Sequence, residues 1–566
     1  MIVADFIAEG IERRGIRHVF GVGGANIEDM FAAVQRRRPS LRAVLNKHEH
    51  AAGTAADAYA RLTGGLGVVL ATSGGGAMNL VHAIAEARAS RVPLLAIVGE
   101  PPTEVQGAGA FQDTSGQGGA IDAAAVFRAV STWCVRVARG DDVPRLFAEA
   151  LDAALGNRPG PAVLLVAKDL QRAEISPAAL RNLQPTSKSA HPPDSASIRQ
   201  AAALLGTGPV VIVAGDEVAR AGAQGELAAL AEQLEAEVAV TPDARDAFNN
   251  FAPRFVGVGG AMGAPEVAHA IERAHVCLVV GTRLPLLARQ GLEAVLAARP
   301  VVSLGREPLF VASSQGLHVE SEVLRGLRAL AAELRSTRSP SANQPRSPRA
   351  LRTALRAESG SFDSRTALAV IERSLPAGSV VLVDAGNTGA TTAHYLRAPR
   401  EGRWLLAMGM AGMGYTFGAA IGAACATGQR CTVLAGDGAF FMNGLDIHTA
   451  VQHELPITYV VFNNSAHGMC LVRERVLLGE NAGYNTFRRS HIGAGLGAMF
   501  PRLGACDCRT SEALASALDR ATRAKGPFLI ALELEDVEVP PFAAFQKATR
   551  EGITTVSRGV LPDEDS

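Results

Sequence analysis

The sequence has no surplus of charge. In 566 residues, 55 Lys and Arg stand against 55 Asp and Glu. A protein that holds nucleic acid or an anionic membrane surface carries a basic excess, so the balance argues against both partners. No run of about 18 apolar residues is present, which removes the signature of a membrane-spanning helix. Cysteines are few, scattered and odd in number: residues 134, 277, 425, 431, 470, 506 and 508. That is unlike a disulfide framework and fits reduced thiols. Cys506-Asp-Cys508 is the one close pair, and no His or Cys cluster nearby completes a zinc set. The opening stretch "MIVADFIAEGIERRG" has the period of an amphipathic helix, without the basic start and unbroken apolar core of a secretory signal. Together these absences predict a cytoplasmic protein.

What the chain does have is apolar content, at 48%, enough to bury several cores. Its length suggests three or four domain-sized units. Two stretches rich in Ser, Pro, Asn and Gln, Arg181–Ser197 and Ser336–Arg349, read as linkers. The expected division is 1–180, 195–335 and 350–540, with a tail over 541–566. Each unit alternates short apolar runs with longer helical patterns. "HVFGV", "LRAVLN", "LGVVLAT", "PLLAIVG" and "PAVLLVA" read as strands in the first unit. "VVIVAG", "EVAVTP", "VCLVVGT" and "PVVSLG" do so in the second, and "SVVLVDAG", "CTVLAGDG", "ITYVVFNN" and "FLIALEL" in the third. Continuous Val, Ile and Leu runs between helices indicate parallel sheets covered on both faces. The predicted fold is α/β: three doubly wound domains in series, with mostly parallel sheets.

Ligands of such sheets bind where the chain leaves the carboxyl ends of the strands. "VLAGDG" and "VVFNN" place polar residues there, as does "VVLVDAGNTG". Asp437 offers a hard oxygen ligand, and Gly436 and Gly438 let backbone approach a phosphate. Asn464 offers a neutral oxygen from the next strand end. One carboxylate and one amide make a poor cage for a free cation, but a good half-site for Mg²⁺, which keeps phosphate and water ligands. A bare Gly-Asp-Gly turn is an equally good reading of the tripeptide alone. The combination is more specific: an apolar strand, GDG, 24 residues, then Asn463-Asn464 after a second apolar strand.

That arrangement resembles the metal and diphosphate motif of the thiamine diphosphate (ThDP) enzymes of acetolactate synthase, pyruvate oxidase and pyruvate decarboxylase type, and the resemblance runs along nearly the whole chain. It implies an N-terminal pyrimidine-binding domain, a central Rossmann-like domain and a C-terminal diphosphate-binding domain. By the same resemblance, Asp437, the Asn464 side chain and the Ala466 carbonyl hold Mg²⁺, and Gly436, Gly438 and Ala439 lie against the cofactor. "LNKHEHAAGTAADAYARLTG" is similar to the segment with the activating glutamate, Glu49. "TSGGGAMNL" puts Asn79 at the family's asparagine, and "GAFQDTSG" puts Phe111 and Gln112 in a substrate-facing loop. "MGMAGMGYTFGAAIGA" resembles the stretch that bends the cofactor, with Met413 as the prop and the Ala411 carbonyl as an acceptor. Gly386, Asn387 and Thr388 lie where the family approaches the diphosphate. His50 and His467, beside these motifs, are candidates for touching substrate, although a lone His is more often a satisfied core or surface residue.

ThDP carries the carbanion chemistry; the protein orients it and tunes its electronics. Glu49 must share a proton with a pyrimidine nitrogen in a poorly hydrated site, where burial raises a carboxyl pKa. The implied substrate is a 2-oxo acid, whose acyl unit after decarboxylation is protonated, oxidised or added to a second carbonyl. The simple decarboxylases carry an acidic residue where this chain has Ala25 and often a His pair near position 112, where it has Gln112-Asp113. This favours carboligation, as in acetolactate or acyloin synthases, with simple decarboxylation the alternative and Asp113, His50 or His467 its proton sources. The Trp-x-x-Gln pattern of true acetolactate synthases is missing. Only Arg283 survives of an Arg-Phe-Asp-Asp pattern tied to FAD, so FAD is not expected. The family architecture implies a homodimer or homotetramer. Two readings of other classes remain. A nicotinamide-dependent oxidoreductase needs G-x-G-x-x-G, which "VVIVAGDEVARAG" does not supply. A non-catalytic ThDP-fold binding protein is at odds with the retained Glu49.

Overall fold

The computed structural model describes residues 1–182, 192–311, 313, 315–337, 362–480 and 483–558. Most of both predicted linkers, and residues 559–566 of the tail, lie outside the described residues. Of the first linker's described residues, Arg181 and Asn182 close the short helix Pro177–Asn182, and Asp194 accepts from Ser197 N–H and caps the helix Ser195–Leu205. The opening stretch forms the helix Val3–Arg13, which buries Val3, Phe6, Ile7 and Ile11.

Three six-stranded sheets, all of whose ladders are parallel, follow one another along the chain. The first holds β1 (His18–Gly21), β2 (Arg42–Leu45), β3 (Gly67–Ala71), β4 (Leu94–Glu100), β5 (Trp133–Arg136) and β6 (Pro161–Ala167). Its order is β2-β1-β3-β4-β6-β5. The second holds β7 (Val210–Ala214), β8 (Glu237–Val240), β9 (Phe255–Val258), β10 (Val276–Val280), β11 (Pro300–Gly305) and β12 (Gln315–Glu320). Its order, β12-β11-β10-β7-β8-β9, is that of a Rossmann sheet. The third holds β13 (Val380–Val383), β14 (Arg403–Leu406), β15 (Cys431–Gly436), β16 (Ile457–Asn463), β17 (Gly504–Cys508) and β18 (Phe528–Glu533). Its order, β14-β13-β15-β16-β18-β17, repeats that of the first sheet strand for strand. The α/β fold of three doubly wound sheets is therefore as the apolar runs predict. Five strands have no such run, namely β5, β9, β12, β14 and β17, and every one is a sheet edge.

The repeated topology places two equivalent helices back to back. Glu49–Thr63 follows β2 and Tyr415–Thr427 follows β14, and both are buried over most of their length. Their sequences, "EHAAGTAADAYARLT" and "YTFGAAIGAACAT", are dominated by small residues. A Cβ built on Gly422 would stand 1.9 Å from Ala55 O, and one on Gly418 2.3 Å from Ala51 O. The backbones thus meet without side chains between them. One apolar core spans this seam, joining Phe20, Tyr59 and Ile84 of the first domain to Phe417, Ile421 and Tyr459 of the third. The central domain has its own core around Ile212, Leu227, Val280 and Leu330. No described helix is long and apolar enough to cross a membrane.

Gly422→Ala tests the seam. In an exposed helix this change gains about 1 kcal/mol. Here the added methyl must push two helices apart, and a net loss of about 1–3 kcal/mol is expected. Urea denaturation of the variant checks the sign.

Candidate active site

In the third sheet β15 and β16 are parallel neighbours, with Gly436 opposite Phe462. The chain therefore leaves the sheet at Asp437 and at Asn464 side by side. β13 flanks β15 on the other side, so its carboxyl end brings Asn387 and Thr388 to the same place. The chain runs from β13 outward to β14 and then back across to β15, so these three ends surround the topological switch point of the sheet. A pocket opens there, lined by residues 385–388, Met413, 436–439, Asn464 and 466–470. It brings together eleven of the residues singled out from the sequence: Gly386, Asn387, Thr388, Met413, Gly436, Asp437, Gly438, Ala439, Asn464, Ala466 and His467.

The donor set fits a hard cation and a phosphate. Asp437 is buried, with Oδ1 accepting from Gly438 N–H at 2.9 Å and Oδ2 from Ala466 N–H at 3.3 Å. Burial, partly offset by hydrogen bonds from Gly438, Ser465 and Ala466, pushes its carboxyl up to about 7, as expected of a carboxylate that lacks a counter-charge. Asn464 Oδ1 and Asn387 Oδ1 are buried without a hydrogen-bond partner, which is rare unless a ligand or ion takes the bond. Ser465 has φ +54°, a left-handed conformation that turns the chain sharply between Asn464 and Ala466. A Cβ on Gly438 would meet His467 Nδ1 at 2.6 Å, so the glycine lets the imidazole pack directly against the backbone next to Asp437.

Asp384, which the sequence reading passed over inside "VVLVDAGNTG", proves central. It is buried, and its Oδ1 accepts from Gly414 N–H at 2.8 Å while Oδ2 accepts from Thr416 N–H at 3.0 Å and Thr416 Oγ1 at 2.6 Å. It ties the start of the helix Tyr415–Thr427, and with it Met413, to the end of β13. Its only sequence signal was an Asp at the close of an apolar run.

The remaining candidates lie elsewhere in the chain. Glu49 is the first residue of the helix Glu49–Thr63 and is 7% exposed. Asn79 sits inside the helix Gly75–Ala89, not at its cap, and donates from Nδ2 to Glu49 Oε2 at 3.0 Å. Gln112, at φ +56°, lies over Gly74, whereas Phe111 is 78% exposed. Ala411 occupies the loop before Met413 with φ +52°. His50 is buried and stacked on His82 with ring centroids 4.6 Å apart. Burial, and then the neighbouring His82 and His48, lower it to about 3. None of these six lines the Asp437 pocket of its own chain. His467 does, edge-on to Phe487, and burial lowers its pKa. Among the described residues no group of three or more His, Cys, Asp or Glu is disposed to hold a metal, Cys506 and Cys508 included.

Comparison with known proteins agrees with this geometry. The thiamine pyrophosphate enzyme models match in chain order: the N-terminal TPP binding domain over residues 1–120, the central domain over 198–322 and the C-terminal TPP binding domain over 384–532. The chain belongs to the thiamine pyrophosphate enzyme family. Its relatives include an acetolactate synthase of Mycobacterium bovis, 27% identical over 487 residues that cover 82% of this chain and 76% of that one. Acetolactate synthase 3, chloroplastic, of Brassica napus is 28% identical over 564 residues, covering 93% and 82%. A solved structure, the thiamine diphosphate-dependent 4-hydroxybenzoylformate decarboxylase of Rhodococcus jostii RHA1, superposes with a TM-score of 0.80 over 94% of this chain and 99% of that one. At 21% identity that likeness concerns the fold. In this family of ThDP enzymes the present chain is acetolactate synthase-like.

The buried His50 gives this thiamine pyrophosphate enzyme a defined acid sensitivity. Between pH 6.5 and about 3 the unfolded chain binds a proton that folded His50 refuses. Stability is thus full above pH 6.5 and falls as pH drops, by about 2 kcal/mol at pH 5. His50→Gln is expected to flatten the fall in thermal midpoint between pH 7 and 5; an unchanged slope counts against it.

Proposed function

We propose that the protein is a ThDP- and Mg²⁺-dependent carboligase, which decarboxylates a 2-oxo acid and adds the acyl unit to a second carbonyl compound. The reading divides the chain into a pyrimidine-binding domain over 1–180, a central domain over 195–335, a diphosphate- and metal-binding domain over 350–540 and a tail over 541–566. ThDP supplies, when bound, the carbanion chemistry that no side chain offers. Asp437, Asn464 and the Ala466 carbonyl would hold Mg²⁺, and the backbone at 386–388 and 436–439 would take the diphosphate. The unsatisfied Asn464 Oδ1 beside a buried carboxylate supports this assignment. Met413 would bear on the thiazolium side of the cofactor. Glu49, oriented by Asn79, would exchange a proton with the pyrimidine. Gln112, Phe111 and His467 would face substrate.

Glu49 is absent from the Asp437 pocket of its own chain. On this reading a second copy of the protein brings it there, in a homodimer or homotetramer. Phe441, Met442 and Leu445, just after Asp437, are each at least half exposed, which supports a covered face.

One observation favours carboligation over release of an aldehyde. Protonating the acyl unit requires an acid, and the three groups that the sequence offers for that role are unsuited to it. Burial acts to raise Asp113, but hydrogen bonds from Gly107 N–H and Ser115 outweigh it and hold the carboxyl below its usual range. His50 and His467 are both lowered, first of all by burial, so neither carries a proton to give at neutral pH. Flavin forms no part of the reading: Arg283 is occupied by Glu307 at 2.8 Å and stacks on Phe310.

Two experiments test this. With ThDP, Mg²⁺, pyruvate and a panel of aldehydes and ketones, the expected product is a 2-hydroxy ketone, or a 2-hydroxy-3-oxo acid where a second pyruvate is the acceptor; free acetaldehyde as sole product overturns the carboligase reading. Asp437→Ala is expected to remove the Mg²⁺ dependence of ThDP binding and weaken affinity at least a hundredfold, on the scale of a lost metal ligand. Undiminished affinity by calorimetry contradicts the metal assignment.

A further inference from the structure

The loop 408–414 joins β14 to the helix Tyr415–Thr427 and carries Met413. Its second half is held within its own domain by Asp384. Its first half is held from another domain altogether, by Glu86 in the last turn of the helix Gly75–Ala89. Glu86 is 3% exposed. Its Oε1 accepts from Gly409 N–H at 3.1 Å, and its Oε2 from Met410 N–H at 2.5 Å and Ala411 N–H at 3.3 Å. Ser90 Oγ at 2.6 Å and Arg61 at 3.5 Å complete the set. Five donors thus converge on two oxygens, and three are consecutive backbone amides of one loop.

This contact does work that the loop cannot do for itself. Ala411 is a non-glycine residue at φ +52°, a conformation costing about 1–2 kcal/mol that persists only where the surroundings impose it. Three hydrogen bonds to a carboxylate, each stronger than a neutral bond, can impose it. One turn earlier on the same helix, His82 closes the remaining freedom: a Cβ on Gly412 would stand 2.1 Å from its ring. Met413 follows at once, 3.8 Å by its sulfur from a Cβ position on Gly386 in the pocket wall.

We infer that Glu86 is a positioning residue for the reaction: it sets the backbone at 409–411, and through it the Ala411 carbonyl and the Met413 side chain. The inference rests on the reading above that Ala411 and Met413 meet the cofactor. Glu86 touches no reacting atom. Its effect is conveyed by the loop alone.

Glu86→Gln keeps the length and one acceptor oxygen but turns an amide N–H₂ toward backbone donors. In the cofactor-free variant, amide hydrogen exchange at 409–411 is expected to rise about tenfold or more, the scale of one lost charged hydrogen bond. The helices Glu49–Thr63 and Tyr415–Thr427 keep their protection. ThDP affinity, read by calorimetry, falls about tenfold, and exchange of the C2 proton of bound ThDP slows beyond that loss. Glu86→Asp restores part of both. Gly409→Ala is the second route, because its methyl would meet Ala89 Cβ and Ser90 Oγ at 2.8 Å and Glu86 Oε1 at 2.9 Å, and would lift the loop off the end of the helix Gly75–Ala89 without changing any charge; it should loosen 409–411 in the same way. Unchanged exchange at 409–411 in Glu86→Gln, or loosening spread evenly over the chain with ThDP affinity intact, overturns the inference. If the unmodified protein binds no ThDP, the functional reading falls, while amide exchange still decides whether Glu86 holds the loop.

Discussion

A carboxylate taken out of water must find donors, and in this protein it finds them across domain boundaries. Asp446 of the third domain accepts from Asn46 Nδ2 at 3.2 Å and Lys47 N–H at 3.1 Å in the first. Asp57 of the first domain accepts from Tyr415 Oη at 2.5 Å in the third while it pairs with Arg61. Asp246 of the central domain accepts from Arg403 Nε at 2.7 Å and Trp404 N–H at 3.1 Å. Arg245 beside it reverses the roles, donating to Ala393 O and His394 O at 2.6 Å. Burial raises Asp446, Asp57 and Asp246 alike above the usual carboxylate range, against the pull of these bonds. Docking the domains and satisfying the buried charges are therefore one event. Removing either partner leaves a stranded charge, which is costlier than losing an apolar contact.

The same economy of donors shapes the site. Asp384 spends both oxygens on the start of one helix, and Asp437 is left with backbone amides and no cation. Neither has a counter-charge; what sets Asp437 apart is the buried Asn464 Oδ1 in the same pocket, which has no hydrogen-bond partner. Strand order does the rest, because the switch point of the third sheet gathers three chain exits around Asp437. The first sheet has the same order and carries Glu49 at the helix after β2, the counterpart of the helix Tyr415–Thr427 after β14, whereas Asp437 follows β15, the counterpart of β3.

Interior strands could be read from the sequence because a strand covered on both faces is an unbroken apolar run. Of the six edge strands only β2 was legible in this way: "GACDC" and "QGLHVE", for example, have no unbroken apolar run and are half-buried or exposed along most of their length. The pocket residues were legible for a different reason. Asp437 and Asn464 lie directly at strand ends, and their spacing is visible in one dimension. Glu86 and Asp384 were not, because each acts on a backbone segment that is distant in sequence, and any carboxylate with the right reach would look the same in one dimension. The place of Asn79 was half legible. Its position marked it for the site, but only the fold shows that its amide serves Glu49 rather than a helix cap.

The seam between Glu49–Thr63 and Tyr415–Thr427 leaves a mark on how this protein can change over generations. Gly418 faces Ala51, and Gly422 faces Ala55, with no room for a methyl group between them. The atoms a methyl on Gly422 would strike are the carbonyl and Cα of Ala55, so no change of the facing side chain makes room for it. Substitution at either glycine thus requires the two helices themselves to part, a change that no single neighbouring codon can compensate.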